Sequence, residues 1–298
     1  MMRKYRICLA AVITAAALFT AGCGGGAASA GTAPPMPTET ESAAAATVTE
    51  TETTTRESEA VTEEDTTPAE TEEYPKGENS VRTAEELAGK KVIALTFDDG
   101  PNTGVTNEIL DVIEEYGIKA SFFVIGQNID PESAKAMQRA HSLGCEINSH
   151  SFTHSYMDQM SAEDIADEME RTSELIYEYV GEYPKFFRPP YIAVNTTMYD
   201  TIDLPFIAGI GCNDWEDRVS VEKRVRFLTE KCPEGCIILM HDAKDNEKTA
   251  EAVRQAVPMM LEQGFEFVTV SELFAAKGIT PAADKEITYS YATENGWS

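Results

Sequence analysis

From about residue 90 onward, short apolar runs alternate with longer stretches in which apolar residues recur every three or four positions. The runs VIALTF (92–97), ASFFVIG (120–126), CEINSH (145–150), KFFRPP (185–190), PFIAGIG (205–211), CIILMHD (236–242) and FEFVTV (265–270) predict strands. Between them, NEILDVIEEY, PESAKAMQRAHSL and AEDIADEMERTSELIYEYV predict helices ending at Gly117, Gly144 and Gly181, because glycine readily takes the left-handed conformation that stops a helix. Ser161 and Asp164 open the third in the manner of a capping box. SVEKRVRFLTEK and EKTAEAVRQAVPMMLEQ supply two more helices, whereas Tyr191 to Leu204 leaves room only for a very short one. Strand and helix in repeated alternation imply parallel strands joined by crossovers, and continuous apolar strands imply cover on both faces. A barrel and a doubly wound sheet both satisfy this pattern.

The first 85 residues follow a different rule. Residues 1–23, MMRKYRICLAAVITAAALFTAGC, run from a basic start through a short apolar stretch to small residues, which reads as an export signal too short to span a membrane. The segment TAGC resembles a bacterial lipobox and makes Cys23 the expected lipid anchor, with attachment to the membrane at the cell surface; cleavage elsewhere would leave Cys23 incidental. Residues 24–85 are rich in Thr, Glu, Ala and Pro, with few large apolar side chains to offset the entropy of ordering, and predict a disordered acidic tether. The folded domain is expected over residues 86–298.

Charge narrows the partners. The 298-residue chain carries 51 acidic and 24 basic side chains, a formal net charge of −27, and the excess of acid continues past the tether. That disfavours nucleic acid and strongly anionic polymers. DDGPNTG after the first strand lacks the glycine spacing and lysine of a phosphate-binding loop, which disfavours nucleotides. Cys145, Cys212, Cys232 and Cys236 fall in the exported part, where disulfides are permitted but their pairing is not readable from spacing.

In parallel α/β folds the site gathers at the carboxyl ends of the strands. Asp98 and Asp99 end the first strand, His150 and His154 the third, and Arg188 the fourth. Asp214 and Trp215 follow the fifth, and His241 with Asp242 ends the sixth. Two histidines four apart with one aspartate suit a first-row divalent cation and leave coordination positions open, which is the catalytic type of site. An HxxxH pair by itself is more often polar packing; its place opposite two aspartates favours Asp99, His150 and His154 as ligands. The cation then lets the second acid, Asp98, stay ionised beside its neighbour, while Arg188 orients it and His241 serves as general acid. The bland reading of His241 is a strand-end histidine bonded to a carbonyl, with Asp242 capping the next helix. His141, within a helix, is expected on the solvated surface.

TFDDGP (96–101), HSFTH (150–154), RPPY (188–191), NDW (213–215) and IILMHD (237–242) occur in order. Together they resemble the five motifs of the polysaccharide deacetylases, the NodB-homology group of carbohydrate esterase family 4, over about Lys90 to Leu273. The resemblance implies a distorted (β/α)7-type barrel and metal-dependent removal of acetyl groups from sugars. It implies Asp98 as general base, with Asp99, His150 and His154 holding a divalent metal, zinc first and cobalt or manganese as alternatives. It also implies Arg188 orienting the base, Asp214 positioning Arg188, the Tyr191 N–H completing an oxyanion hole, Trp215 walling the acetyl pocket and His241 protonating the leaving atom. Two positions depart from the pattern: Gly211 stands where an Asp is usual, and Ile192 where Gly is usual. The expected substrate is an acetylated glycan containing N-acetylglucosamine, such as cell-wall peptidoglycan. An O-acetylxylan esterase is the alternative, and a non-catalytic glycan-binding module is the reading from another class. The Tyr- and Trp-bearing tail DKEITYSYATENGWS is expected to pack on the domain rather than to add glycan contacts.

Overall fold

The computed structural model describes residues 74, 76, 77 and 79–297. The expected signal with Cys23, and most of the expected tether, lie outside the described residues. The elements run β1 (Lys91–Asp98), α1 (Val105–Tyr116), β2 (Ser121–Val124), α2 (Ser133–Ser142), β3 (Glu146–Ser149), α3 (Ala162–Val180) and α4 (Thr196–Thr201). There follow β4 (Phe206–Ile207), α5 (Val221–Lys231), β5 (Ile237–His241), α6 (Glu247–Glu262), β6 (Phe265–Val268), α7 (Val270–Lys277) and β7 (Thr288–Tyr289). Among the described residues no helix is long and apolar enough to cross a membrane.

β1 is the hub of a parallel sheet. Its residues Thr96–Asp98 pair with β2, Ala94–Asp98 with β5 and Lys91–Ala94 with β6, while β3 pairs with β2. Beyond β3 the pairing continues through single bridges, Ser149 to Phe187 and Phe187 to Phe206, and it meets β5 through Ile210 and Ile238. Seven full strands of a regular barrel are therefore not what the ladders form. KFFRPP contributes one bridging residue, and PFIAGIG a two-residue strand paired with β7. Pro184, Pro189, Pro190 and Pro205 crowd these two segments, and each proline removes a ladder donor.

Side chains alternate across β1, as a strand requires. Ile93, Leu95 and Phe97 join the cluster built with α1, α2 and α6, while Val92 and Ala94 face the second cluster with Phe123, Ile207 and Ile237. Thr96 and Asp98 share the parity of Val92 and Ala94 and so point to that inner side.

Three expectations need correction. His141 is buried, only 4% exposed, because α2 turns this position inward. Its Nε2 lies 3.4 Å from Glu182 Oε2, and its carbonyl accepts a hydrogen bond from Asn79 Nδ2 at 2.7 Å. The domain also begins before residue 86. Gly77 N donates to Val180 O at 2.9 Å, and Arg82 forks onto Glu272, with Nε and Nη2 at 3.0 and 2.9 Å from its oxygens. A cation in an acidic stretch finds buried acids to pair with, which composition alone conceals. The tail splits: Tyr289 is buried with Leu87, Phe186 and Phe274, whereas Trp297 is exposed. The four cysteines of the domain are free thiols.

Candidate active site

Asp98, at the end of β1, aims its carboxylate at the inner side and is buried. Arg188, fully buried, answers it: Nη1 donates to Asp98 Oδ1 at 2.5 Å and to Thr96 Oγ1 at 2.8 Å. The two acceptors are i and i+2 on one strand face, so a single guanidinium reaches both. Arg188 Nη2 donates to the Ala208 carbonyl, and the Phe123 ring lies 4.1 Å from the guanidinium carbon. Burial pulls the Arg188 pKa down from its ordinary value while Asp98 opposes that shift. A buried cation so held fixes where the Asp98 carboxylate can point.

The next residue leaves the strand. Asp99 has φ +78°, a left-handed conformation that breaks the strand's alternation of side chains. His150 Nε2 lies 3.8 Å from Asp98 Oδ2 and 3.5 Å from Asp99 Oδ1, so both carboxylates reach the same imidazole. Asp242 secures this turn: its Oδ1 accepts the Gly100 N–H at 3.0 Å, and its Oδ2 accepts Thr106 Oγ1 at 2.6 Å. A Cβ at residue 100 would stand 2.3 Å from Asp242 Oδ2, so only glycine fits. Burial, with Asp99 and Asp98 adding to it against the hydrogen bonds from Thr106 and Gly100, lifts the Asp242 carboxyl to about 7.

His150 and His154 face Asp99. The His150 Nδ1–H donates to the Arg188 carbonyl at 2.7 Å, which leaves the Nε2 lone pair 3.5 Å from Asp99 Oδ1; His154 Nε2 lies 3.4 Å from the same oxygen. Asp99 Oδ1 is buried without a hydrogen-bond partner. The three ligand atoms lie within 4.8 Å of one another. An orphaned carboxylate oxygen facing two imidazole nitrogens fits a divalent cation of the zinc class, with positions left open. Burial and the neighbouring His150 hold the His154 pKa below its ordinary value, against the pull of Asp99, and so keep its lone pair available. Glu168 of α3 pins the loop: its carboxylate accepts the N–H groups of Phe152 and Thr153 at 2.8 Å each and the Thr153 hydroxyl at 2.8 Å.

In the register of β1 and β5, Asp98 stands beside His241. Asp214 Oδ2 accepts the His241 backbone N–H at 2.9 Å, and its Oδ1 takes the Nδ1–H at 2.8 Å. Thr249 Oγ1 donates to Asp214 Oδ2 at 2.7 Å and receives Arg224 Nη1 at 2.8 Å. Burial works against a charged His241, but the bond to Asp214 and the charges of Asp214, Asp98 and Asp99 outweigh it and raise its pKa to about 9. Asp214 thus positions His241 and not Arg188, which is held by Thr96, Asp98 and Ala208. Trp215 is more than half exposed and sets its ring edge-on to His241 at 5.1 Å.

RPPY turns sharply. Tyr191 and Ile192 have φ +59° and +55°, and the turn is closed by Ile192 N to Pro189 O and Ala193 N to Pro190 O, bonds in which the Tyr191 N–H takes no part. A β-branched residue in the left-handed region costs about 1–3 kcal/mol. Gly211, the other departure, lies tight against β5: a Cβ there would come 2.9 Å from the Leu239 carbonyl. An Asp does not fit this backbone.

Asp98, Asp99, His150, His154, Arg188, Tyr191, Asp214, Trp215 and His241 therefore converge at one end of the sheet. Sequence reasoning missed the groups that hold them: Glu168, Thr249, Arg224 and the role of Asp242. One signal was readable, since Glu168 occupies the buried stripe of α3 with Ile165, Thr172 and Ile176, where an unpaired acid is costly.

A family model described as polysaccharide deacetylase matches residues 85–204. A bifunctional xylanase/deacetylase of Pseudobutyrivibrio xylanivorans is 46% identical over 198 residues, 66% of this chain and 33% of that protein. A peptidoglycan-N-acetylglucosamine deacetylase of Listeria monocytogenes is 33% identical over 192 residues, 63% of this chain and 40% of that protein. The chain thus spans between a third and two fifths of these curated relatives. Among solved structures, a family 4 acetyl xylan esterase from Clostridium thermocellum in complex with a cobalt ion superposes with a TM-score of 0.65 at 36% identity, covering 67% of this chain and 98% of that one.

Proposed function

We propose that this chain, which belongs to the polysaccharide deacetylase family, hydrolyses acetyl groups from a glycan. The observation that carries this reading is the pairing on adjacent strands of Asp98, gripped by Arg188, with His241, gripped by Asp214, both beside the ligand set of Asp99, His150 and His154. Asp99, His150 and His154 would hold a divalent cation, zinc first, which supplies Lewis acidity toward the acetyl carbonyl and lowers the pKa of water. Asp98 takes the proton from the attacking water, and Arg188 keeps its free oxygen turned inward. The Tyr191 N–H, uncommitted within its own turn, supports the developing oxyanion. His241, charged at neutral pH and oriented through Nδ1 by Asp214, gives its Nε2 proton to the departing oxygen or nitrogen.

The substrate reading we favour is an acetyl ester on xylan, supported by the xylan-linked names of the relatives at 46% and 36% identity. The second reading, the N-acetyl group of peptidoglycan N-acetylglucosamine, is supported by the Listeria relative at 33%. We further propose, on sequence grounds, an exported protein anchored at Cys23 on a long acidic tether. Acetate release from acetylxylan, chitooligosaccharides and peptidoglycan, with and without chelator and with zinc, cobalt or manganese restored, tests the activity. Release that ignores the chelator, or none from any acetylated glycan, would sink it.

A further inference from the structure

Beside the ligand histidines lies an exposed aromatic ledge that the hydrolytic chemistry does not use. The Tyr191 ring meets His154 edge-on at 4.7 Å, and Tyr156 stacks on Tyr191 at 4.1 Å with the planes 17° apart. Tyr156 and Tyr191 are each about half exposed (49% and 54%), and Ile192 and Val194, which follow Tyr191 in the chain, are exposed as well. Soluble domains seldom leave four such side chains together in water without a partner.

The ledge is built to hold its shape. The single turn Met157–Gln159 buries Met157 and closes with Gln159 N to Tyr156 O at 3.2 Å. Asn195 Nδ2 donates to the Asp158 carbonyl at 2.7 Å, locking the Tyr156 side to the Tyr191–Val194 side. Glu168 fixes the loop from below. Ile192 is kept in a left-handed conformation that glycine would adopt without strain, and what that strain gains is an apolar side chain at the lip.

We propose that Tyr156, stacked on Tyr191 and continued by Ile192 and Val194, is the platform on which a β-1,4-linked pyranose chain lies, fixing the sugar next to the one that is deacetylated. A pyranose presents a face of axial C–H groups that packs on an aromatic plane, and its ring hydroxyls stay in water; a rigid, half-exposed Tyr offers that plane with little ordering cost. The platform begins one ring away from a metal-ligand histidine, so a chain resting on it passes over the site, with Trp215 standing against His241 at the other strand end. This rests on the deacetylase reading for its substrate class but concerns binding, and it is tested without turnover.

The experiment is calorimetric binding of xylohexaose and of chitohexaose to the whole domain, comparing the native protein with Tyr156→Ala and Tyr156→Trp, with thermal melts alongside. The expected result is binding of at least one oligosaccharide, weakened about three- to tenfold by Tyr156→Ala at unchanged Tm and kept by Tyr156→Trp. In turnover, kcat/KM on the acetylated oligosaccharide falls through KM, while that on methyl acetate, a small ester with no ring to lay on Tyr156, keeps its value. Equal affinity in all three proteins, binding of neither oligosaccharide, or a loss that falls equally on the small ester would overturn the proposal. If oligosaccharide binding depends on Tyr156 but no acetate is released from any substrate, the platform stands and the deacetylase reading fails.

Discussion

Asp214 holds His241 at two points, taking its backbone N–H at 2.9 Å and its Nδ1–H at 2.8 Å. One contact places the backbone and the other sets the ring's tautomer and rotation, so Nε2 is the ring nitrogen that Asp214 leaves free. Asp214 in turn is held by Thr249, which is braced by the buried Arg224. His241, the proposed general acid, therefore sits at the end of a chain of bonds running back into α5 and α6.

The pH profile should report this. His241 carries a pKa raised to about 9, against burial, by Asp214 and the other site acids. A raised pKa keeps the acid form populated up to that pH, so kcat/KM should hold through neutrality and fall on the alkaline side near pH 9. In Asp214→Asn burial then dominates, and the alkaline limb should move down by about 1–2 units. An unmoved limb would mean that another group sets it.

Arg188 is buried with one carboxylate partner. Arg188→Met removes the guanidinium that grips Asp98, and breaking one partner out of a buried ion pair costs about 3–5 kcal/mol. Its midpoint in chemical denaturation should drop accordingly, and acetate release should fall about 10²–10⁴-fold as Asp98, the proposed base, loses its orientation.

Gly100→Ala tests the support of the double-aspartate turn. The new methyl would collide with the buried Asp242 carboxylate and force the turn open. Overpacking of this kind costs about 1–3 kcal/mol, so Tm should fall by several degrees and activity with it. A second change, Asp242→Ala, makes room for the methyl and should recover part of the Tm but not the activity.

Glu168 touches none of the reacting groups but accepts three hydrogen bonds from the loop between His150 and His154. Glu168→Gln keeps the volume and loses the paired acceptors. Zinc affinity by competition with a chromophoric chelator should weaken about 10–100-fold, as loss of such outer support does, with the fold intact by circular dichroism.

Much of this was readable from the chain. Apolar runs ending in DD, HSFTH and HD put the acids and histidines at strand ends, and parallel topology brings strand ends together. What the pattern could not carry was pairing across space. That Asp214 meets His241 and not Arg188 depends on the loop path after β4, and the irregular bridges around Phe187 and Ile210 follow from prolines whose effect on a ladder is local. His141 looked polar and surface-bound because its cover, Asn79, comes from a stretch whose composition reads as tether.

The central claim is the division of labour between two adjacent acids, and one paired measurement tests it. Asp98→Asn and Asp99→Asn should each be purified with zinc, and their metal content and acetate release measured on the same samples. The account predicts that both lose turnover, that Asp98→Asn keeps near-stoichiometric zinc, and that Asp99→Asn, with its ligand oxygen gone, does not. Equal loss of zinc from both, or full zinc retention in Asp99→Asn, would contradict it.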